Sequence, residues 1–78
     1  MTDETLIRVE CHAGGRVDET PRRLVFADRT VEVAEEEARW REPDGDRFRL
    51  RGDDDVLYTV AHLSNTGIWL LLGAARPG

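Results

Sequence analysis

Apolar and charged residues alternate one for one along several short stretches of this chain, and Gly, Pro or Asp closes each stretch. Over residues 6–11, Ile7, Val9 and Cys11 fall on one side, with Arg8, Glu10 and the following His12 on the other. Over 47–51, Phe48 and Leu50 point one way and Arg47, Arg49 and Arg51 the other. Over 56–63, Val56, Tyr58, Val60 and His62 oppose Leu57, Thr59, Ala61 and Leu63. A period of two belongs to a strand with one buried face, whereas a helix repeats near 3.6.

The breakers between these stretches set the number of strands. Residues 12–20 read as a long polar loop with the pair Gly14-Gly15, ended by Pro21, which pushes Thr20 toward an extended backbone. A second strand follows over 22–27, and Asp28-Arg29 turns into a third that starts near Thr30. Residues 34–42 admit two readings. Ala, Glu and Arg favour helix, but Val31 and Val33 commit the start to a strand and Pro43 cuts the segment off. A strand is the expectation, with a bulge that returns Trp40 to the core. Glu42-Pro43-Asp44-Gly45-Asp46, Gly52-Asp53-Asp54-Asp55 and Ser64-Asn65-Thr66-Gly67 are turns, the last offering both Asn65 and Gly67 for positive φ. The sixth strand, 68–72, is nearly all apolar and is expected to be central or covered on both faces. Residues 73–78 read as a frayed tail. The expectation is one all-β domain over 1–78, ordered from about 6 to 72 with frayed termini. Its six strands form an antiparallel meander, as a curved sheet or an SH3-like barrel.

Seventy-eight residues leave room for one small core. The five aromatics, Phe26, Trp40, Phe48, Tyr58 and Trp69, are expected to fill it. A single cysteine excludes an internal disulfide framework and points to a reducing compartment. The start, Met1-Thr2-Asp3-Glu4-Thr5, is acidic where a secretory leader is basic. Residues 68–72 are far too short to cross a bilayer. A soluble, cytoplasmic protein with no membrane partner is expected. The net charge of −5 argues against indiscriminate attraction to polyanions. Arginine supplies all eleven cations and lysine none, which fits GC-rich coding or a salt-adapted cytoplasm.

The candidate chemistry is thin. Cys11 and His12 are neighbours on a strand and project to opposite faces, and no paired Cys or His spacing for a closed metal site occurs. No metal or cofactor is implied. Cys11 with His62 could be drawn as a nucleophile and base, but no orienting third group is legible. No nucleophile elbow, phosphate loop or metallohydrolase motif is present, so no catalytic residue is assigned. The arginines carry more. Five of the eleven, Arg39, Arg41, Arg47, Arg49 and Arg51, fall within thirteen residues. Arg47, Arg49 and Arg51 on one strand face would stand about 7 Å apart, near the phosphate spacing of a nucleic-acid strand. Arg39 and Arg41 could join them across the turn, with Arg22 and Arg23 as extensions. The competing reading pairs these cations with Glu32, Glu35 or Glu37 across strands.

From Val9 to Leu72 one succession of residues stands out. It comprises Glu10-Cys11, Pro21-Arg22-Arg23, Val31 to Val33, Arg39-Trp40-Arg41-Glu42, Phe48-Arg49-Leu50, Leu57-Tyr58-Thr59-Val60 and Ile68-Trp69-Leu70. It resembles a family of small prokaryotic β domains of unknown function. A similar arrangement occurs in the C-terminal region of catalytically defective relatives of Y-family DNA polymerases, which act in damage-induced mutagenesis. The resemblance implies a DNA-repair or nucleic-acid context and carries no active site. Asp53-Asp54-Asp55 and Leu70-Leu71-Leu72 depart from it. The expected function is a non-catalytic module binding nucleic acid or nucleoprotein through the arginines. The alternative is a protein-interaction or self-assembly module, using a leucine of 70–72 turned outward, in a chain that is a monomer or weak homodimer.

Overall fold

A computed structural model describes residues 5–12 and 20–76. The strands are β1 (Thr5–His12), β2 (Thr20–Val25), β3 (Thr30–Glu42), β4 (Gly45–Gly52), β5 (Leu57–Leu63) and β6 (Trp69–Ala75). Each pairs antiparallel with the next, and β1 returns to β6, so the six-stranded meander closes into a barrel. Two joins are short. Thr5, Leu6 and Ile7 of β1 face Leu71, Leu70 and Trp69 of β6. Arg23, Leu24 and Val25 of β2 face Glu32, Val31 and Thr30 of β3. The expected polar loop falls on residues 13–19, outside the described residues, as do the ends 1–4 and 77–78.

The alternating faces assemble as their period requires. Ile7, Leu24, Val31, Phe48, Leu50, Tyr58, Val60 and Trp69 fill the interior, and Val9, Cys11, Phe26, Val33, Val56 and Leu71 pack around them. Burying such side chains contributes roughly 1.5–3 kcal/mol each, the main favourable term in a domain of this size. Four of the five aromatics belong to this set. Trp40 does not.

Two insertions in β3 explain the exception. Val33 faces Gly52 and Glu35 faces Arg51, so Ala34 is an extra residue; Glu36 faces Leu50 and Ala38 faces Arg49, so Glu37 is a second. One bulge would reverse which side every later residue faces and bring Trp40 inward, as the sequence suggested. Two cancel. Trp40 faces Arg47 on the outside, while Arg39 faces Phe48 and Arg41 faces Asp46 on the barrel side. The segment is strand throughout, and no helix forms in it.

Two further expectations need correction. The tail begins later than glycine and alanine suggested, because Gly73, Ala74 and Ala75 pair with Thr59, Tyr58 and Leu57 and extend β6. Ladder hydrogen bonds do not depend on side-chain size. The second strand begins at Thr20 and ends at Val25, and the Phe26 N–H turns back to the Arg29 carbonyl at 2.8 Å. At the 64–67 turn Gly67 alone has positive φ, 73°, and Asp55 is a non-glycine residue that adopts it, at 66°. The sixth strand sits between β5 and β1 inside the closed sheet, as its apolar run implied, yet among the described residues no second layer covers its outer side.

Candidate interaction surface

Directly opposed residues in an antiparallel ladder point to the same side. Following those pairs outward across the sheet gives a row that runs Trp40, Arg47, Ala61, Leu70, Leu6 over five strands. Ala61 is buried although it faces out, because the longer side chains of Arg47 and Leu70 flank it. Leu6, at the end of the row, is 66% exposed.

The arginines divide between the two sides of the sheet. Arg47, Arg49 and Arg51 share the outer face of β4, as expected. Arg39 and Arg41 do not join them. The Arg39 guanidinium lies 4.8 Å from the Phe48 ring centroid and 2.9 Å from Glu36, covering the rim of the apolar interior. Arg41 meets Asp46 at 3.0 Å. On the outer face, Arg47 meets Asp44 at 2.9 Å, and Arg51 meets Glu35 at 2.5 Å and Glu37 at 3.0 Å. Arg49 has no carboxylate partner among the described residues; its guanidinium sits 5.7 Å from the Trp40 ring centroid, within cation–π reach. The Trp40 indole N–H donates to Glu42 at 2.9 Å. Arg47 is 16% exposed, and its Nη1 is buried without a hydrogen-bond partner among the described residues. Arg23 bridges Glu10, at 2.8 Å, and Glu32. Arg22 is the extra residue where Glu10 faces Arg23 but Cys11 faces Pro21.

The aspartate turn, unassigned in the sequence, closes one end of the barrel. The buried Tyr58 hydroxyl donates to Asp54 Oδ2 at 2.6 Å and accepts from Arg29 Nη2 at 3.1 Å. The Val56 N–H reaches Asp54 Oδ1 at 3.2 Å, and the Asp53 N–H ties the turn to the Glu32 carbonyl at 2.8 Å. A Cβ at Gly52 would lie 2.5 Å from both Val31 and Asp54, so only glycine fits beneath the turn. Burial, then the hydrogen bond to Asp54, pushes the Tyr58 phenol up from its ordinary value. Burial pushes the Asp54 carboxyl up as well, but the Tyr58 hydroxyl and the Val56 amide outweigh it and hold the group below the usual carboxylate range. This signal was present in the sequence as an aspartate four residues before a buried tyrosine.

A second feature escaped the sequence reading. At Ile7 strand β1 still pairs with β6, and at Arg8 it pairs with β2. Where the partner changes, the end of β2 and the start of β6 separate and leave an apolar groove of about 640 Å³, lined by Leu6, Val9, Phe26, Ile68 and Trp69 among others. Leu6 shares its parity with Arg8 and Glu10, which was the available clue. Cys11 packs against the core opposite Pro21, whereas the His62 ring stacks on Trp69 at 4.0 Å. No family model matches the chain, and no curated protein or solved structure matches it.

Proposed function

We propose that the chain is a non-catalytic module that binds another protein through the outer row from Trp40 to Leu6. The observation that carries this reading is the charge pairing around β4: Arg39, Arg41, Arg47 and Arg51 each hold a carboxylate within 3.0 Å. An arginine so held must release its partner to reach a phosphate, and the net charge of −5 opposes a polyanion from a distance. The row itself combines an aromatic, two arginines beside it and outward leucines, the residue types that anchor protein interfaces. A fitting partner offers aliphatic contact to Leu70 and Leu6, and acceptor oxygens to Arg49, which holds no carboxylate among the described residues. The test immobilises the wild type beside Leu70→Glu and Trp40→Ala in a lysate of the source organism. A protein retained by the wild type and lost from both variants is expected; equal retention by all three overturns the reading.

A second reading rests on Arg49 over Trp40. A guanidinium on an indole, with further arginines along the strand, is a platform on which single-stranded bases can stack, and the DNA-repair context of the resemblance would suit it. It requires salt-sensitive oligonucleotide binding that disappears when Arg47, Arg49 and Arg51 become alanine. Undetectable affinity at low salt dismisses it.

A further inference from the structure

We infer that the hollow beside the aspartate turn binds a small ligand through an oxyanion, a phosphate or carboxylate group held between Arg29 and Arg76. The hollow shares no residue with the outer row, so this stands independently of the protein-binding reading.

The strands bring the two guanidiniums to one opening. Leu57 and Tyr58 face Ala75 and Ala74 across the β5–β6 ladder. Opposed residues share a side, so Ala74 stands on the side of Tyr58, and Arg76, just past the strand, follows it there. Arg29 reaches the same opening from the turn between β2 and β3. Alanine at 74 and 75 leaves the space beside Tyr58 unfilled. The result is a hollow of about 410 Å³, lined by Arg29, Asp54, Tyr58, Ala74 and Arg76 among others. That volume suits a small molecule.

Elsewhere the chain neutralises its cations at close range: Arg23, Arg39, Arg41, Arg47 and Arg51 each hold a carboxylate within 3.0 Å. At the hollow it does not. Arg76 meets no carboxylate among the described residues. The nearest to Arg29, on exposed Asp28, is 3.8 Å away, beyond hydrogen-bond distance. Asp54, the one acid in the lining, is engaged by the Tyr58 hydroxyl and the Val56 N–H and pairs with neither arginine. Two like charges at one opening repel until an anion lies between them.

Arg29 is also held in place, as a receptor group must be. Its guanidinium stacks over the Phe26 ring at 4.7 Å and donates Nη2 to the Tyr58 hydroxyl at 3.1 Å. Tyr58 in turn is buried and anchored on Asp54. Stacking occupies the face of the guanidinium and leaves N–H groups along its edge, the fork that a phosphate or carboxylate accepts in pairs. Exposed Arg76 supplies the second charge. A ligand bearing one or two charges is opposed by the net −5 far less than a polyanion is.

The test follows amide and arginine Nε–H resonances of the full chain, at constant ionic strength, during titration with inorganic phosphate, glycerol phosphate and acetate. Shifts should saturate and concentrate at Arg29, Val56, Ala75 and Arg76, with Arg8 and Arg49 little affected. The order of affinity between the phosphates and acetate then assigns the oxyanion. Arg76→Ala should weaken binding at least about tenfold. Ala74→Leu should block glycerol phosphate by filling the hollow while both guanidiniums remain. Both positions are exposed, so circular dichroism of each variant should match the wild type. Leu70→Glu and Trp40→Ala should bind the anion as the wild type does, whatever their effect on protein retention. The proposal is overturned if none of the three anions gives a saturable shift, or if Arg8 and Arg49 shift as far as Arg76. Unchanged affinity in Arg76→Ala, or undiminished glycerol phosphate binding in Ala74→Leu, overturns it equally.

Discussion

Trp69 and Trp40 belong to one continuous sheet and face opposite ways. Trp69 is 8% exposed, stacks on His62 at 4.0 Å and packs on Phe48 at 5.5 Å. Trp40 lies half-buried on the outside, its N–H on Glu42 and the Arg49 guanidinium over its ring. Nothing in the two side chains distinguishes them. The difference lies in the backbone upstream: β3 inserts Ala34 and Glu37, and the parity of a strand survives two insertions but not one. The inner ring therefore supports the fold, and the outer ring stands on the face where the proposed partner would meet it.

The sharpest way to break this contrast is to truncate each ring. Trp69→Ala should cost about 3–5 kcal/mol in urea unfolding, a large share of a small domain's stability. Trp40→Ala should cost no more than about 1 kcal/mol, as a partly exposed residue does. If the two costs are equal, the rings share one environment and the contrast is false.

The β3–β4 hairpin sets Trp40 opposite Arg47, and Gly45 sets the hairpin. Its φ is 151°, and a Cβ there would lie 2.1 Å from the His62 carbonyl oxygen. Gly45→Ala should cost at least about 1–3 kcal/mol and change the environment of Trp40, read from its fluorescence; an unchanged melt would mean that the hairpin does not depend on this close approach.

At the opposite end, Tyr58→Phe should cost about 0.5–1.5 kcal/mol for the lost hydrogen bond. Its pH signature is specific. The Tyr58 phenol is raised in the folded state, so its contribution is complete below about pH 10 and is lost as pH climbs through the raised value. Asp54 is lowered, so its contribution is present above about pH 4 and disappears as pH falls through the depressed value. Tyr58→Phe should flatten the alkaline limb and Asp54→Asn the acid limb; a wild type with no alkaline limb contradicts the Tyr58–Asp54 pair.

The smallest effect belongs to the outer charges. Arg51→Ala gives up two exposed ion pairs, to Glu35 and Glu37, and should cost less than about 1 kcal/mol. A larger loss, measured in the same urea series, would show that the outer face supports the fold after all.

Much of the architecture was legible. Alternation grouped Ile7 with Val9 and Cys11, Tyr58 with Val60, and Phe48 with Leu50 as inward, and all of these lie in or against the core, since regular strands obey a period of two. Reading Trp40 failed because a bulge is a backbone event with no fixed side-chain signature, and glutamates and alanines on either side look alike. The split of the arginines followed from the same miscount: Arg39 and Arg41 sit on the side of Phe48 and Asp46, away from Arg47, Arg49 and Arg51. The groove at Leu6 was beyond reach for a different reason. It arises where β1 exchanges β6 for β2, and only the closed topology brings Phe26, Ile68 and Leu6 together.

The facing of Trp40 decides whether the outer row exists. Acrylamide quenching of Trp69→Phe, in which Trp40 is the sole indole, against Trp40→Phe, which leaves Trp69, reads it directly. Trp40 should be quenched readily and emit to the red, and Trp69 should be shielded and emit to the blue. Equal shielding of both, or shielding of Trp40 alone, would place the ring inside and remove the proposed contact surface.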